Sequence, residues 1–267
     1  MDEFNRIDLM YILLQVDPTG YYVYIADTSI IAMTPGIIVY AVQEDKSYRV
    51  ISSHASLFGP SLFLDISGSV ISYGPLGMKV HVDSIALDRT GSRLYFGAMS
   101  GDKLYSVSTS HLLYYVKAIN ASSSSKQQLD RNMHSYITLV TSEKPVTDGI
   151  STDGSGNIWM TCVEHSAIAL AVPLKVRSKT VPVFANQEQV FKIVKVLQDP
   201  ALLRWPDGLS FGNDGLYISN SALQLRFKGI TDYSAHAPFH ILKLSSRKIH
   251  SDLVLKDGSI VMPAAGH

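Results

Sequence analysis

The chain has 267 residues, 46% of them hydrophobic, and its 23 basic side chains balance 23 acidic ones. A chain of that length and apolar content can bury a sizeable core, as one large all-β domain or two small domains. Balanced charge gives no reason to expect nucleic acid or an anionic membrane surface as a partner, and the longest apolar runs are far too short to span a bilayer. Met1-Asp-Glu-Phe-Asn-Arg6 shows no basic region leading into an apolar core, so no secretory leader is visible in this stretch. Cys162 is the single cysteine, which excludes an internal disulfide, and its place in an apolar run predicts a buried, inert thiol.

From Tyr11 to Ala26 two runs rich in tyrosine and β-branched residues are broken by Asp17-Pro-Thr-Gly20, which predicts two strands and a tight turn. Gly36–Tyr40 and Ser47–Ile51 complete a set of four. Residues 52–80 read as a long connection holding a small hairpin at Leu62–Leu64 and Ser69–Tyr73. Val82–Leu87, Arg93–Ala98 and Lys103–Val107 follow as strands, then a short helix over His111–Lys117. Asn120–Met133 carries four serines, two glutamines and mixed charge, and reads as an exposed, mobile loop. It contains the glycosylation-type triplet Asn120-Ala-Ser122. Tyr136–Val140 is an outer strand.

The third set is the clearest: Thr147-Asp-Gly-Ile-Ser-Thr-Asp153-Gly-Ser-Gly156-Asn-Ile-Trp159-Met-Thr-Cys162, followed by Ala167–Val172 and an edge strand at Val190–Leu197. Trp205 opens a fourth, with Asp207-Gly-Leu-Ser-Phe-Gly-Asn-Asp-Gly215-Leu-Tyr-Ile-Ser-Asn220 and Phe239–Leu244, and the tail 252–261 supplies at most one more strand. The units therefore run over about 10–52, 80–140, 146–197 and 204–261. Their turn positions Asp17, Asp88, Asp153 and Gly212 are 71, 65 and 59 residues apart. Several strands per unit at such a period indicate a single all-β domain, a β-propeller whose blades stack because none can bury both faces alone.

In three units an aspartate lies five residues before the turn: Asp83, Asp148 and Asp207. That is the leading end of an innermost strand, so the three carboxylates are expected to converge near the propeller axis. Carboxylates in one funnel repel, which raises pKa values or recruits a cation. Ca²⁺ suits oxygen ligands, and a protonated amine beside an aromatic face such as Trp205 satisfies the same field. Thr147 opens the third unit and Asn220 ends a strand of the fourth, and both are candidate polar contacts. Asp17, Asp88 and Asp153 read as plain turn residues. The nine histidines are scattered, with His81 and His165 near strand ends and His236 and His240 separated by Pro238. No serine-nucleophile elbow, phosphate loop or zinc-ligand spacing is present.

Tyr24-Ile-Ala-Asp27, Gly36–Tyr40 with Ser47-Tyr-Arg49, Leu94-Tyr-Phe96 with Leu104-Tyr-Ser106, and Trp205-Pro-Asp207-Gly208 together resemble the major royal jelly protein and yellow family. The resemblance runs from about residue 10 to 250. It implies a six-bladed propeller, extracellular location, and either binding of a small amine or a role in dopachrome conversion. With four units visible, it also implies that one or two N-terminal blades lie outside this chain, and that an open ring could self-associate. The Asp148 unit is similar to the gluconolactonase and regucalcin group, where the position of Asp148 and Asp207 supplies carboxylates to a divalent metal. The glutamate and asparagine that complete that metal site have no recognisable counterpart here. Three readings follow: a binder of a small cationic or aromatic ligand, a metal-dependent lactonase-like hydrolase or isomerase, and a protein-interaction scaffold.

Overall fold

The computed structural model describes residues 12–29, 32–61, 63–66, 69–71, 77, 79–121, 125–173, 191–229 and 239–245. Its elements, in chain order, are β1 (Ile12–Val16), β2 (Tyr22–Asp27), β3 (Gly36–Ala41), β4 (Lys46–Ser52), the short hairpin β5 (Leu64–Ile66) and β6 (Ser69–Ile71), then β7 (Val82–Leu87), β8 (Arg93–Ala98) and β9 (Leu104–Ser108). Two helices, α1 (Thr109–Asn120) and α2 (Lys126–Ser135), precede β10 (Thr138–Thr141). The rest comprises β11 (Ile150–Thr152), β12 (Ile158–Cys162), β13 (Ala167–Pro173), β14 (Phe191–Gln198), β15 (Trp205–Gly212), β16 (Gly215–Ser221), α3 (Leu223–Phe227) and β17 (Phe239–Ser245).

The strands form antiparallel meanders in the orders β1-β2-β3-β4, β10-β9-β8-β7, β11-β12-β13-β14 and β15-β16-β17. This up-and-down sheet is the blade of a β-propeller, and four such blades are described. The hairpin expected within 52–80 is present as β5–β6. The tail strand expected at 252–261, like His236, lies outside the described residues.

The inner hairpins share one turn. Gly20, Gly91 and Gly156 each donate their N–H to the carbonyl of the aspartate three residues earlier, Asp17, Asp88 and Asp153. The glycine sits at positive φ (74° at Gly20), a conformation that a Cβ would strain. The aspartate side chains accept backbone N–H groups of the same turn, as Asp88 Oδ1 does from Ser92 at 2.7 Å and Arg93 at 3.1 Å. These three acids are turn residues, as their sequence context predicts.

The chain divides into two compact units. The first holds the β1–β4 and β7–β10 sheets with α1 and α2, around Tyr24, Ile37, Val39, Ile51, Ile85, Leu94, Phe96 and Val107. Each such side chain contributes roughly 1.5–3 kcal/mol on full burial. Leu112, Tyr115 and Val116 of α1 and Leu129 and Met133 of α2 join the same core. The stretch expected as a mobile loop, 120–133, is thus corrected over most of its length: residues 126–133 are helical. Ser125 caps α2 by accepting the Gln128 N–H at 3.3 Å, Leu129 and Met133 form a buried i, i+4 pair, and Asp130 accepts the Tyr115 hydroxyl at 2.6 Å. The polar residues that suggest a loop are the solvated face of an amphipathic helix.

The second unit holds β5–β6, β11–β14 and β15–β17. Its core is built by Trp159, Ile168, Leu170, Val196, Leu203, Leu216 and Ile218, with Leu242 and Leu244 of β17 packed against it. Strand alternation puts Phe239 and Ile241 on the opposite, exposed side.

Candidate functional site

Two Asp-Gly pairs lie together in the second unit: Asp148-Gly149 ahead of β11, and Asp207-Gly208 in β15. Each is pinned by a hydroxyl from the adjacent strand of its own sheet. Thr161 Oγ1 accepts the N–H groups of Asp148 (2.9 Å) and Gly149 (3.1 Å). Ser219 Oγ accepts the Gly208 N–H at 2.7 Å. The ladder between β15 and β16 shifts register between Pro206 and Leu209, so Asp207 and Gly208 form a bulge. A bulge re-aims a side chain out of strand alternation. Thr147 Oγ1 lies 2.8 Å from the Pro145 carbonyl and 3.0 Å from the Thr161 carbonyl, fixing the approach to Asp148.

The two pairs touch. A Cβ on Gly149 would lie 2.0 Å from the Asp207 carbonyl oxygen, so only glycine lets β15 pass. Trp205 spans the same place: its indole Nε1–H donates to Asp148 Oδ2 at 2.6 Å, and its backbone N–H donates to Asn220 Oδ1 at 3.1 Å. The Trp205 ring is 1% exposed and leans on Phe227 of α3, with centroids 5.7 Å apart. Rather than offering a face to a ligand, as its sequence position suggests, the indole holds a carboxylate.

Burial, with the Asp148 charge adding, pushes the Asp207 carboxyl up from 3.8 to about 7. Asn220 is 2% exposed, with its carbonyl used at Trp205 and its Nδ2 without a protein partner. Ser221 Oγ and Gln224 Oε1, in the next turn of chain, are also buried without protein partners. The place therefore combines two carboxyls with an oriented, unsatisfied amide.

Five of the six sequence candidates, Thr147, Asp148, Trp205, Asp207 and Asn220, meet here. The sixth, Asp83, lies in the first unit, on β7 at a register shift between Val82 and Ser84, and accepts the Thr28 hydroxyl at 3.0 Å. Next to it, His81 is fully buried. Its Nδ1 accepts the Gly59 N–H at 3.3 Å, its ring meets Phe58 edge-on at 5.0 Å, and burial with the nearby Lys79 charge lowers its pKa. His165 is exposed at a turn, and Cys162 is buried.

Sequence reasoning misses Thr161, Ser219 and Gly149. A signal for the first two exists in the repeat alignment: Trp159-Met-Thr161 and Tyr217-Ile-Ser219 match, while the first two units carry Ala26 and Gly97 at that place. The hydroxyls are present only where Asp-Gly needs an acceptor.

Among the described residues no group of three or more His, Cys, Asp or Glu is placed to hold a metal. Ca²⁺ takes six to eight oxygens. Here two carboxyls converge, Asp148 Oδ2 is engaged by an indole N–H, and Thr161 Oγ1 and Ser219 Oγ accept backbone N–H groups. This donor set does not fit a Ca²⁺ cage.

Meandering blades and a carboxylate pair at the leading ends of their inner strands define a β-propeller protein. The sequence profile of the major royal jelly protein family matches residues 5–251, and the chain belongs to that family. No curated protein matches the sequence. Among solved structures it is similar to a luciferin-regenerating enzyme (15% identity, TM-score 0.47, covering 86% of this chain and 59% of that one). It is also similar to hydrazine synthase of Kuenenia stuttgartiensis (11%, TM-score 0.41, 87% and 48%) and to a nidogen/laminin complex (13%, TM-score 0.40, 78% and 72%). The chain thus spans about half the length of the first two.

Proposed function

We propose that the protein binds a small protonated amine at the Asp148–Asp207 pair, and that it does so as an extracellular propeller of the six-bladed type. One observation carries the reading: Asp207, half-buried beside Asp148, holds its proton up to about pH 7. A bound ammonium removes that penalty by letting both carboxylates ionise, so the pair gains most from a ligand that brings positive charge and N–H donors. Thr161, Ser219 and Trp205 supply preorganisation, because their hydrogen bonds fix both Asp-Gly segments before a ligand arrives.

Calorimetric titration with dopamine and with serotonin at pH 8 tests this. Binding tighter than about 1 mM is expected, weakened roughly 10–100-fold in Asp207→Asn, the loss of one charge-assisted hydrogen bond. No heat with either amine at millimolar concentration overturns it. Ca²⁺ runs as a parallel arm: Ca²⁺ binding that is lost in Asp148→Ala would favour the lactonase-like reading, and silence in every arm the scaffold reading.

A further inference from the structure

Asn120-Ala-Ser122 is the single Asn-x-Ser/Thr triplet in the sequence. Asn120 is exposed at the last position of α1, where the backbone turns out of the helix at Ala121. Its side chain reaches across to the β3–β4 hairpin: Nδ2 donates to Glu44 Oε2 at 3.0 Å, and the Tyr48 hydroxyl lies 2.8 Å from Oδ1 and 2.9 Å from Glu44 Oε2. Beside Tyr48 runs an open groove of about 360 Å³ lined by Tyr40, Asp45, Lys46, Ser47 and Tyr48. Two aromatic rings and a rim of charged and hydroxyl groups match a sugar, whose C–H face packs on a ring while its hydroxyls reach the polar rim.

We propose that Asn120 carries an N-linked glycan and that the first sugar lies in the Tyr40–Tyr48 groove. The inference rests on the extracellular part of the reading above. In the transfer, Asn120 Nδ2 bonds to the anomeric carbon of a lipid-linked oligosaccharide diphosphate, the carbon–oxygen bond to the diphosphate breaks, and the amide loses one proton to a base. The linked amide keeps one N–H, so the bond to Glu44 survives modification.

The test places the full chain behind a heterologous secretion leader and translates it with microsomes. In the translocated fraction, selected by protease protection, a single glycan removable by peptide N-glycosidase is expected, absent in Asn120→Gln and Ser122→Ala and kept in Ser122→Thr. Protected chain without the mass shift, or a shift that persists in Asn120→Gln, overturns the proposal. Because the shift is read without any ligand, it stands or falls apart from amine binding. For the groove, protein trimmed to one N-acetylglucosamine is expected to unfold about 2–4 °C higher than Asn120→Gln. That gain should persist in Tyr48→Phe and vanish in Tyr48→Ala; an equal gain in Tyr48→Ala overturns the docking.

Discussion

Gly149 and Asp207 set each other's position: the Gly149 Cα faces the Asp207 carbonyl so closely that a methyl group there would lie 2.0 Å from the oxygen. Two inner strands of neighbouring sheets can bring their carboxyls together because one residue has no side chain. Gly149→Ala should therefore cost about 3 kcal/mol or more, at the upper end of overpacking changes, since the obstacle is backbone and cannot rotate away. Urea denaturation measures it, and amine affinity should fall with it in the folded fraction.

Trp205→Phe keeps a ring against Phe227 and removes the N–H that meets Asp148 at 2.6 Å. A loss of about 1–3 kcal/mol is expected at pH 8. Most of it should disappear in an Asp148→Asn background, where the indole no longer meets a charge. A double-mutant cycle in denaturant reads that coupling.

Asp207 gives the fold a signed pH dependence. Folded, its carboxyl keeps the proton up to about 7; unfolded, it releases it near 3.8. Between those values the unfolded chain binds fewer protons, so this group's contribution falls as pH rises and the penalty is complete above about 7. Allowing for partial solvent access, Asp207→Asn should be more stable than the wild type by about 2–3 kcal/mol at pH 8 and little different at pH 4. Denaturation across that range checks the sign.

The helix α2 tests the packing of the first unit. Ser125→Ala removes the cap on Gln128 and should cost about 1 kcal/mol. Leu129→Ala opens the core shared with α1 and should cost about 2–5 kcal/mol. Hydrogen exchange of α2 amides should speed up in both variants.

The blades were legible because an Asp-x-x-Gly turn between alternating strands repeats three times, a local signal needing no tertiary context. Strand ends that bear Asp148 and Asp207 followed from the same offset. Residues 126–133 were not legible, since only Leu129 and Met133 mark the buried face and the other side chains are polar. Thr161 and Ser219 were hidden for another reason: a hydroxyl in a strand looks like ordinary strand composition until the Asp-Gly N–H groups it accepts are known to lie opposite. Trp205 was placed correctly and given the wrong task, because its sequence says nothing of Phe227 closing over the ring.

The central claim is that Asp207 shares a low-dielectric site with Asp148 and that a cation relieves the pair. Carbon-detected NMR titration of the Asp207 carboxyl, with and without dopamine, tests it most directly. An apparent pKa near 7 in the free protein, falling toward the ordinary carboxylate range on saturation with amine, is the expected result. A carboxyl that titrates near 4 in the free protein, or one whose pKa is unmoved by the amine, would contradict it.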